Sequence, residues 1–240
     1  MNAIEIVNVT KKYGGLTAVD DLTLSIHEGE LFALLGVNGA GKTTTIKMLS
    51  CLIRPTEGNA VLLGHNLKEH PQSIKREINI SPQETAVAAN LSVRENLEFV
   101  AGIYGQDSKT AKRSAQEIAV RFGLDGILRK KAKRLSGGMQ RRLSIAMALI
   151  SNPRILFLDE PTLGLDVLAR RELWASIQAL KGKVTILLTT HYLEEVEALA
   201  DRIGIMSSGK LIASGTAAEL TGRTGTTTVE DAFVALAGGA

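Results

Sequence analysis

Along the chain, apolar and polar positions alternate first as strands and only later as helices. From Met1 to Tyr13 the alternation is that of a half-buried strand, with Ile4 and Ile6 on one face. Leu22, Leu24 and Ile26 repeat it, and His27-Glu28-Gly29-Glu30 reads as a turn. Leu31 to Leu35 is wholly apolar, as expected of a strand buried on both faces of a parallel sheet. A glycine-rich loop follows, then a helix expected from about Lys42 to Leu52, and a return to sheet from Ala60 to Leu63.

The period changes in the middle. Leu97, Val100, Ala101 and Tyr104 recur at helical spacing. Ile118, Phe122 and Leu124 predict a second helix, with Gly105 to Lys109 as the loop before it. Leu143, Met147 and Ile150 predict a third, starting near Ser136. The stretch of about 90–150 therefore reads as a helical insertion in an α/β domain. Strand character returns at Ile155 to Leu158 and Val184 to Thr189, with helices expected over Arg170 to Leu180 and Leu193 to Leu199. Ile203 to Met206 and Lys210 to Ala213 flank Ser207-Ser208-Gly209 as a hairpin. Thr221 to Thr228, polar and rich in Gly and Thr, reads as a linker before a last short helix from Val229 capped by Thr228. The division expected is a domain over 1–220 and a short linker and helix over 221–240.

Composition narrows the function classes. The 240 residues are 45% hydrophobic and 22% charged, which excludes disorder as the main state. A net charge of +3 and 4% aromatics give little support to nucleic-acid binding, and none is expected. The single cysteine, Cys51, allows no intrachain disulfide and is consistent with a reducing compartment. No run reaches the roughly 18 apolar residues of a membrane-spanning helix, and the first ten residues lack the pattern of a signal peptide. The expectation is a protein soluble by itself that meets a membrane only through a partner or its surface. The basic run Arg129-Lys130-Lys131 with Lys133-Arg134 reads first as a solvated face, with contact to phospholipid or an acidic partner as the alternative.

Three segments carry chemistry. Gly36-Val37-Asn38-Gly39-Ala40-Gly41-Lys42-Thr43 has the spacing of a phosphate loop, between an apolar strand and a helix. Backbone N–H groups and the helix start would cradle phosphates, Lys42 would supply charge, and the Thr43 hydroxyl could ligate Mg²⁺. This motif alone does not separate GTPase, kinase, helicase and transporter ATPase. Ile155 to Leu158 ends in Asp159 and Glu160. A carboxylate for the metal and a group that orients or deprotonates water are what nucleotide hydrolysis needs, and these two fit those roles. Adjacent strand residues point to opposite faces, so their roles should differ. Leu135-Ser136-Gly137-Gly138-Met139 opens the third helix with a good cap and exposed backbone N–H groups, a second helix start suited to an anion that either binds nothing or completes a site from elsewhere.

In this order and spacing, followed by Leu156 to Asp166 and by Leu187 to His191, these motifs resemble the ATPase domain of ABC transporters over nearly the whole chain. The resemblance implies a nucleoside-triphosphatase core with a mixed sheet, an N-terminal antiparallel β region and a helical subdomain carrying the signature motif. It implies ATP and Mg²⁺ as ligands. Tyr13 would stack on adenine, and Gly36, Asn38, Gly39, Ala40, Gly41, Lys42, Thr43 and Thr44 would hold the phosphates. Thr43, Gln83 and Asp159 would serve the metal. Glu160, His191 and Gln83 would serve catalysis, with Gln83 also signalling to a transmembrane partner. Ser136, Gly137 and Gly138 would contact the γ-phosphate of ATP held by an opposite subunit, with Asp166 crossing that interface, so that two chains pack head to tail around two ATP molecules.

Met139 departs from the glutamine common in the family, a variation familiar in drug-export subfamilies. The segments His191 to Ile203 and Thr228 to Gly239 also resemble bacterial exporter ATPases. The resemblance implies a homodimer or heterodimer of ATPase subunits at the cytoplasmic face of the membrane, bound to a separate permease subunit. The alternatives are a soluble ABC ATPase of nucleic-acid repair, translation or iron–sulfur assembly, a phosphate-loop kinase or GTPase, and a regulatory module that only binds ATP. The chain has one cassette, no sustained heptads and no guanine-recognition motif.

Overall fold

The computed structural model describes residues 1–238; Gly239 and Ala240, the end of the expected C-terminal segment, lie outside the described residues. The chain opens with the long antiparallel strands β1 (Asn2–Tyr13) and β2 (Leu16–His27), followed by β3 (Leu31–Leu35) and α1 (Lys42–Leu49). Next come β4 (Glu57–Leu62), β5 (His65–Asn66), α2 (Pro71–Glu77) and β6 (Ile78–Ser81). Three α-helices stand between β6 and the next strand: α3 (Val93–Ile103), α4 (Ser108–Arg121) and α5 (Gly137–Leu149). The chain then runs through β7 (Ile155–Asp159), α6 (Val167–Gln178), β8 (Thr185–Thr190), α7 (Leu193–Leu199), β9 (Arg202–Ser207), β10 (Lys210–Gly215), α8 (Ala217–Thr224) and α9 (Val229–Ala237).

Two sheets result. One is antiparallel in the order β2-β1-β4-β5; the other runs β10-β9-β3-β8-β7-β6. In the second sheet β9, β3, β8, β7 and β6 pair in parallel and β10 joins antiparallel, so it is mixed. Its central strands are buried throughout, which is why their sequences read as unbroken apolar runs. Side chains leave a strand alternately to its two faces. Leu31, Ala33 and Leu35 pack with Leu156, Leu158 and the helical segment, whereas Phe32 and Leu34 pack with Phe157, α1 and the antiparallel sheet. The large sheet therefore divides the core into two layers.

Parallel pairing also decides where the chemistry gathers. Leu35 pairs with Thr190, Asp159 with Thr189, and Ser81 with Leu158. The carboxyl ends of β3, β8, β7 and β6 thus form one edge, and the loops that leave it begin at Gly36, His191, Glu160 and Pro82. Such edges are the usual ligand sites of α/β sheets.

Several elements differ from the sequence expectation. The helix after the phosphate loop stops at Leu49, because Leu52 and Ile53 N–H both turn back to the Lys47 carbonyl and Cys51 adopts a left-handed backbone (φ 59). The helix expected from Arg170 starts at Val167, capped by Asp166, whose carboxylate accepts from Ala169 N–H at 2.9 Å. Residues 217–224, partly expected as linker, form α8. Its capping box joins Thr216 and Glu219, and Gly225 ends it in the left-handed region. The last helix is capped by Thr228, as its sequence predicts, and anchors Val229 and Ala232 in the core. Among the described residues no helix is long and apolar enough to cross a membrane.

Candidate functional site

A cleft of about 760 Å³ opens over the carboxyl edge of the large sheet. Its floor is the loop from β3 to α1. At Gly36 a Cβ would lie 2.5 Å from the Met206 carbonyl oxygen, so any side chain would push the loop off β9. Gly41 is left-handed (φ 99), and a Cβ there would lie 2.5 Å from the Ala18 carbonyl oxygen. Gly41 also sits at the N-cap of α1 with no side chain capping the helix, so the first N–H groups face the cleft. The hairpin between β9 and β10 braces this loop from outside, with Gly209 N–H donating to the Ala40 carbonyl at 3.2 Å.

Lys42 is only 5% exposed. Its ammonium donates to the carbonyls of Gly36 (2.7 Å) and Val37 (3.2 Å) and lies 3.2 Å from Glu160 Oε1. The other carboxylate oxygen of Glu160 is 2.8 Å from His191 Nδ1. One carboxylate therefore joins the phosphate loop to the end of β8. Buried ionic groups need such partners, because an unpaired charge would carry a large desolvation penalty.

Asp159 and Glu160 do point apart, but not through the strand pleat alone. Asp159 ends β7, and Glu160 follows in the left-handed region (φ 48). A non-glycine residue held there is strained and needs support from its surroundings. The support is visible: Glu160 N–H donates to Thr189 at both its carbonyl and its hydroxyl, each at 3.1 Å. The turn aims Glu160 into the cleft while Asp159 stays below it. Asp159 Oδ1 accepts from the hydroxyls of Thr43 (3.0 Å) and Thr189 (2.6 Å). Thr189 lies inside the Leu187 to His191 segment, but the sequence assigns it no role there.

Tyr13, Asn38, Gly39, Ala40 and Gly41 line the cleft, as do Lys42, Thr43, Thr44, Gln83, Glu160 and His191. Tyr13 is 47% exposed, with Lys11 Nζ 5.0 Å from its ring centroid. Leu16, Thr17, Ala18, Leu163, Ser208 and Gly209 complete the wall, and the sequence assigned none of them a role in binding. Gly36 and Asp159 lie beneath the lining. Ser136, Gly137, Gly138 and Asp166 stand outside it. The Ser136 hydroxyl accepts from Met139 N–H at 3.3 Å and caps α5. Beside it, a Cβ added at Gly138 would lie 3.0 Å from the Ala169 Cβ of α6. The second anion-binding start and the Asp166 turn are thus neighbours on one surface of the chain, apart from the cleft.

Behind the cleft, α7 buries Glu195 completely. Burial pushes its carboxyl above the usual glutamate range, reinforced by the nearby Glu160 and opposed by its polar neighbours, Trp174 among them. Trp174 Nε1 donates to Glu195 Oε1 at 3.2 Å. His27, His65 and His70 do not line the cleft.

Comparison with known proteins agrees with this architecture. Residues 19–163 match the ABC transporter family. The daunorubicin resistance ATP-binding protein DrrA3 of Streptomyces coeruleorubidus is 42% identical over 224 residues, covering 93% of this chain and 71% of its own length. Of two further curated relatives the chain spans 66% and 41% of the length. A solved ATP-binding subunit of an ABC transporter superposes with a TM-score of 0.86 at 30% identity, over 98% of this chain and 99% of that one. The ATP-binding cassette MJ0796, solved as a post-hydrolysis dimer bound to ADP and Pi, superposes with a TM-score of 0.80 at 26% identity, over 89% and 98%. The chain belongs to the ABC transporter family and is an ATP-binding, ATP-hydrolysing subunit of it.

Proposed function

We propose that the chain hydrolyses Mg·ATP in a head-to-tail dimer and drives export of drug-like compounds through a separate permease subunit. The observation that carries the catalytic part is the Glu160 carboxylate, held between Lys42 and His191 at the mouth of the phosphate loop. ATP phosphates lie against the α1 N-terminus and Lys42, where the N–H groups and the ammonium favour anions. Phosphate oxygens compete with Glu160 for that ammonium, and the released carboxylate orients and deprotonates the attacking water. His191 holds Glu160 and faces the γ-phosphate. Tyr13 stacks on the base.

The residues present suit Mg²⁺. Thr43 and Asp159 bring two hard oxygen donors 3.0 Å apart, and Gln83 lines the same cleft. Thr43 and Asp159 would hold the ion, which would supply neutralisation of phosphate charge there.

Ser136, Gly137 and Gly138 stand away from the chain's own cleft, which supports their use on ATP held by a second subunit, with Asp166 beside them at the same interface. ATP then joins two subunits, and loss of phosphate removes the bridging contacts. The pair is a homodimer or a heterodimer with a sister ATPase. Drug export is inferred from relatives named for daunorubicin resistance; a permease and a place at the cytoplasmic face of the membrane follow from it. The cassette is read as residues 1–220, with its helical part at about 90–150, and 221–240 as a C-terminal appendage. Purification of the tagged chain from detergent-solubilised membranes tests this reading. Recovery of a membrane subunit whose presence raises ATP turnover is expected. Recovery of iron–sulfur assembly proteins instead would favour the soluble alternative.

A further inference from the structure

Arg141 lies on α5 and is 4% exposed, yet among the described residues no carboxylate is bonded to it. Its guanidinium donates instead to two successive backbone carbonyls, Pro82 at 2.7 Å and Gln83 at 2.5 Å. One turn further along the same helix face, Ser144 Oγ lies 3.0 Å from Ser81 Oγ at the end of β6. Two polar side chains of α5 therefore grip three consecutive residues, Ser81 to Gln83, where β6 runs into the Gln83 loop. Asp159 and Glu195 act on Arg141 through space only. A buried cation is an expensive way to satisfy two carbonyls. Its planar fork can, however, hold two oxygens in a set geometry, which a neutral amide or a hydroxyl cannot do.

We propose that Arg141 is a positioning residue that fixes the Gln83 loop to the helix whose start is Ser136 to Gly138. The proposal rests on the head-to-tail reading above. In that arrangement the α5 start of a chain attends one ATP and Gln83 attends the other. A rigid tie between them within one chain makes the closure of one site set the geometry of the second. The tie acts on turnover rather than on nucleotide affinity, because Arg141 itself faces neither phosphate loop nor base.

The test uses the full chain assembled with its membrane subunits, with ATP titrated under steady state. Arg141→Met keeps the bulk and removes the donors. It should lower kcat by about tenfold or more while KM stays within about threefold, and Arg141→Lys, which can still reach a carbonyl, should restore at least about a third of the turnover. In a Glu160→Gln background, Arg141→Met should still form the ATP-driven dimer. Wild-type kcat in Arg141→Met, a rise in KM alone, or a loss that Lys does not rescue would each overturn the role. If Arg141→Met does not fold, Arg141→Gln compared with Arg141→Lys carries the test: Lys should be the more active, and equal activity overturns the proposal. Failure of Glu160→Gln alone to dimerise with ATP would overturn the head-to-tail reading and this proposal with it. A normal Glu160→Gln dimer beside an indifferent Arg141→Met overturns only the role of Arg141.

Discussion

His191 Nδ1 and Glu160 Oε2 are hydrogen-bonded at 2.8 Å, across the gap between the ends of β8 and β7. The pair exists because those strands are parallel neighbours and because Glu160 turns into the left-handed region just past β7. A base whose carboxylate is held by an imidazole is oriented before substrate arrives. Glu160→Gln keeps the shape and removes the basic oxygen. Turnover is expected to fall by about 10²–10⁴-fold, the usual contribution of a general base, with ATP still bound. Single-turnover hydrolysis of radiolabelled ATP checks this, and an unchanged rate removes Glu160 from the role.

Lys42 makes the only charge contact between the phosphate loop and Glu160 among the described residues. Lys42→Ala removes a charged donor whose hydrogen bonds are each of order 1.5–3 kcal/mol. Affinity for ATP should drop by about 10- to 100-fold. Isothermal titration with ATP in the presence of EDTA measures it without turnover, and wild-type affinity would contradict the placement of the phosphates.

Gly41→Ala combines a left-handed backbone with a Cβ that would meet the Ala18 carbonyl at 2.5 Å. Strain of about 1–3 kcal/mol is expected, visible as a lowered midpoint in urea and accompanied by weaker ATP binding. Gly39, also left-handed (φ 83), has open space where its Cβ would stand. Gly39→Ala should therefore lose less stability than Gly41→Ala, and the reverse order would contradict this account of the loop.

Glu195 gives the pH dependence its sign. Burial, the largest influence, raises its carboxyl above the ordinary value of 4.5, so the native state keeps this proton after the unfolded chain has lost it. Stability from this group is complete below the unfolded value and declines as pH rises through the raised native value. Glu195→Gln removes that decline. Urea unfolding followed by the fluorescence of Trp174, the single tryptophan and a direct partner of Glu195, should show the variant gaining on wild type as pH rises from about 4. Parallel stability curves would contradict it.

How far the fold was readable from sequence follows from what each element buries. β3, β7 and β8 are buried on both faces, so their apolar runs were plain. α8 buries only Leu220, so its second half, from Thr221, reads as linker although Thr216 and Glu219 spell a capping box. β6 is four residues long and holds its place through pairing with β7, a contact that no local pattern announces. Motif spacing picked out residues that meet in one cleft, but not the backbone turn at Glu160. Nor could it show the tie from Arg141 to the Gln83 loop, which spans 58 positions of chain.

The central claim is that two subunits enclose each ATP, the second one through Ser136 to Gly138. The most direct measurement is the mass of Glu160→Gln in solution with and without Mg·ATP, by light scattering after size exclusion, beside the same chain carrying Ser136→Arg. A dimer is expected only with ATP, and Ser136→Arg should abolish it while leaving ATP binding to the monomer within about threefold of its starting affinity, since Ser136 lies outside the chain's own cleft. A monomer that holds ATP without associating, or a dimer indifferent to Ser136→Arg, would contradict the account.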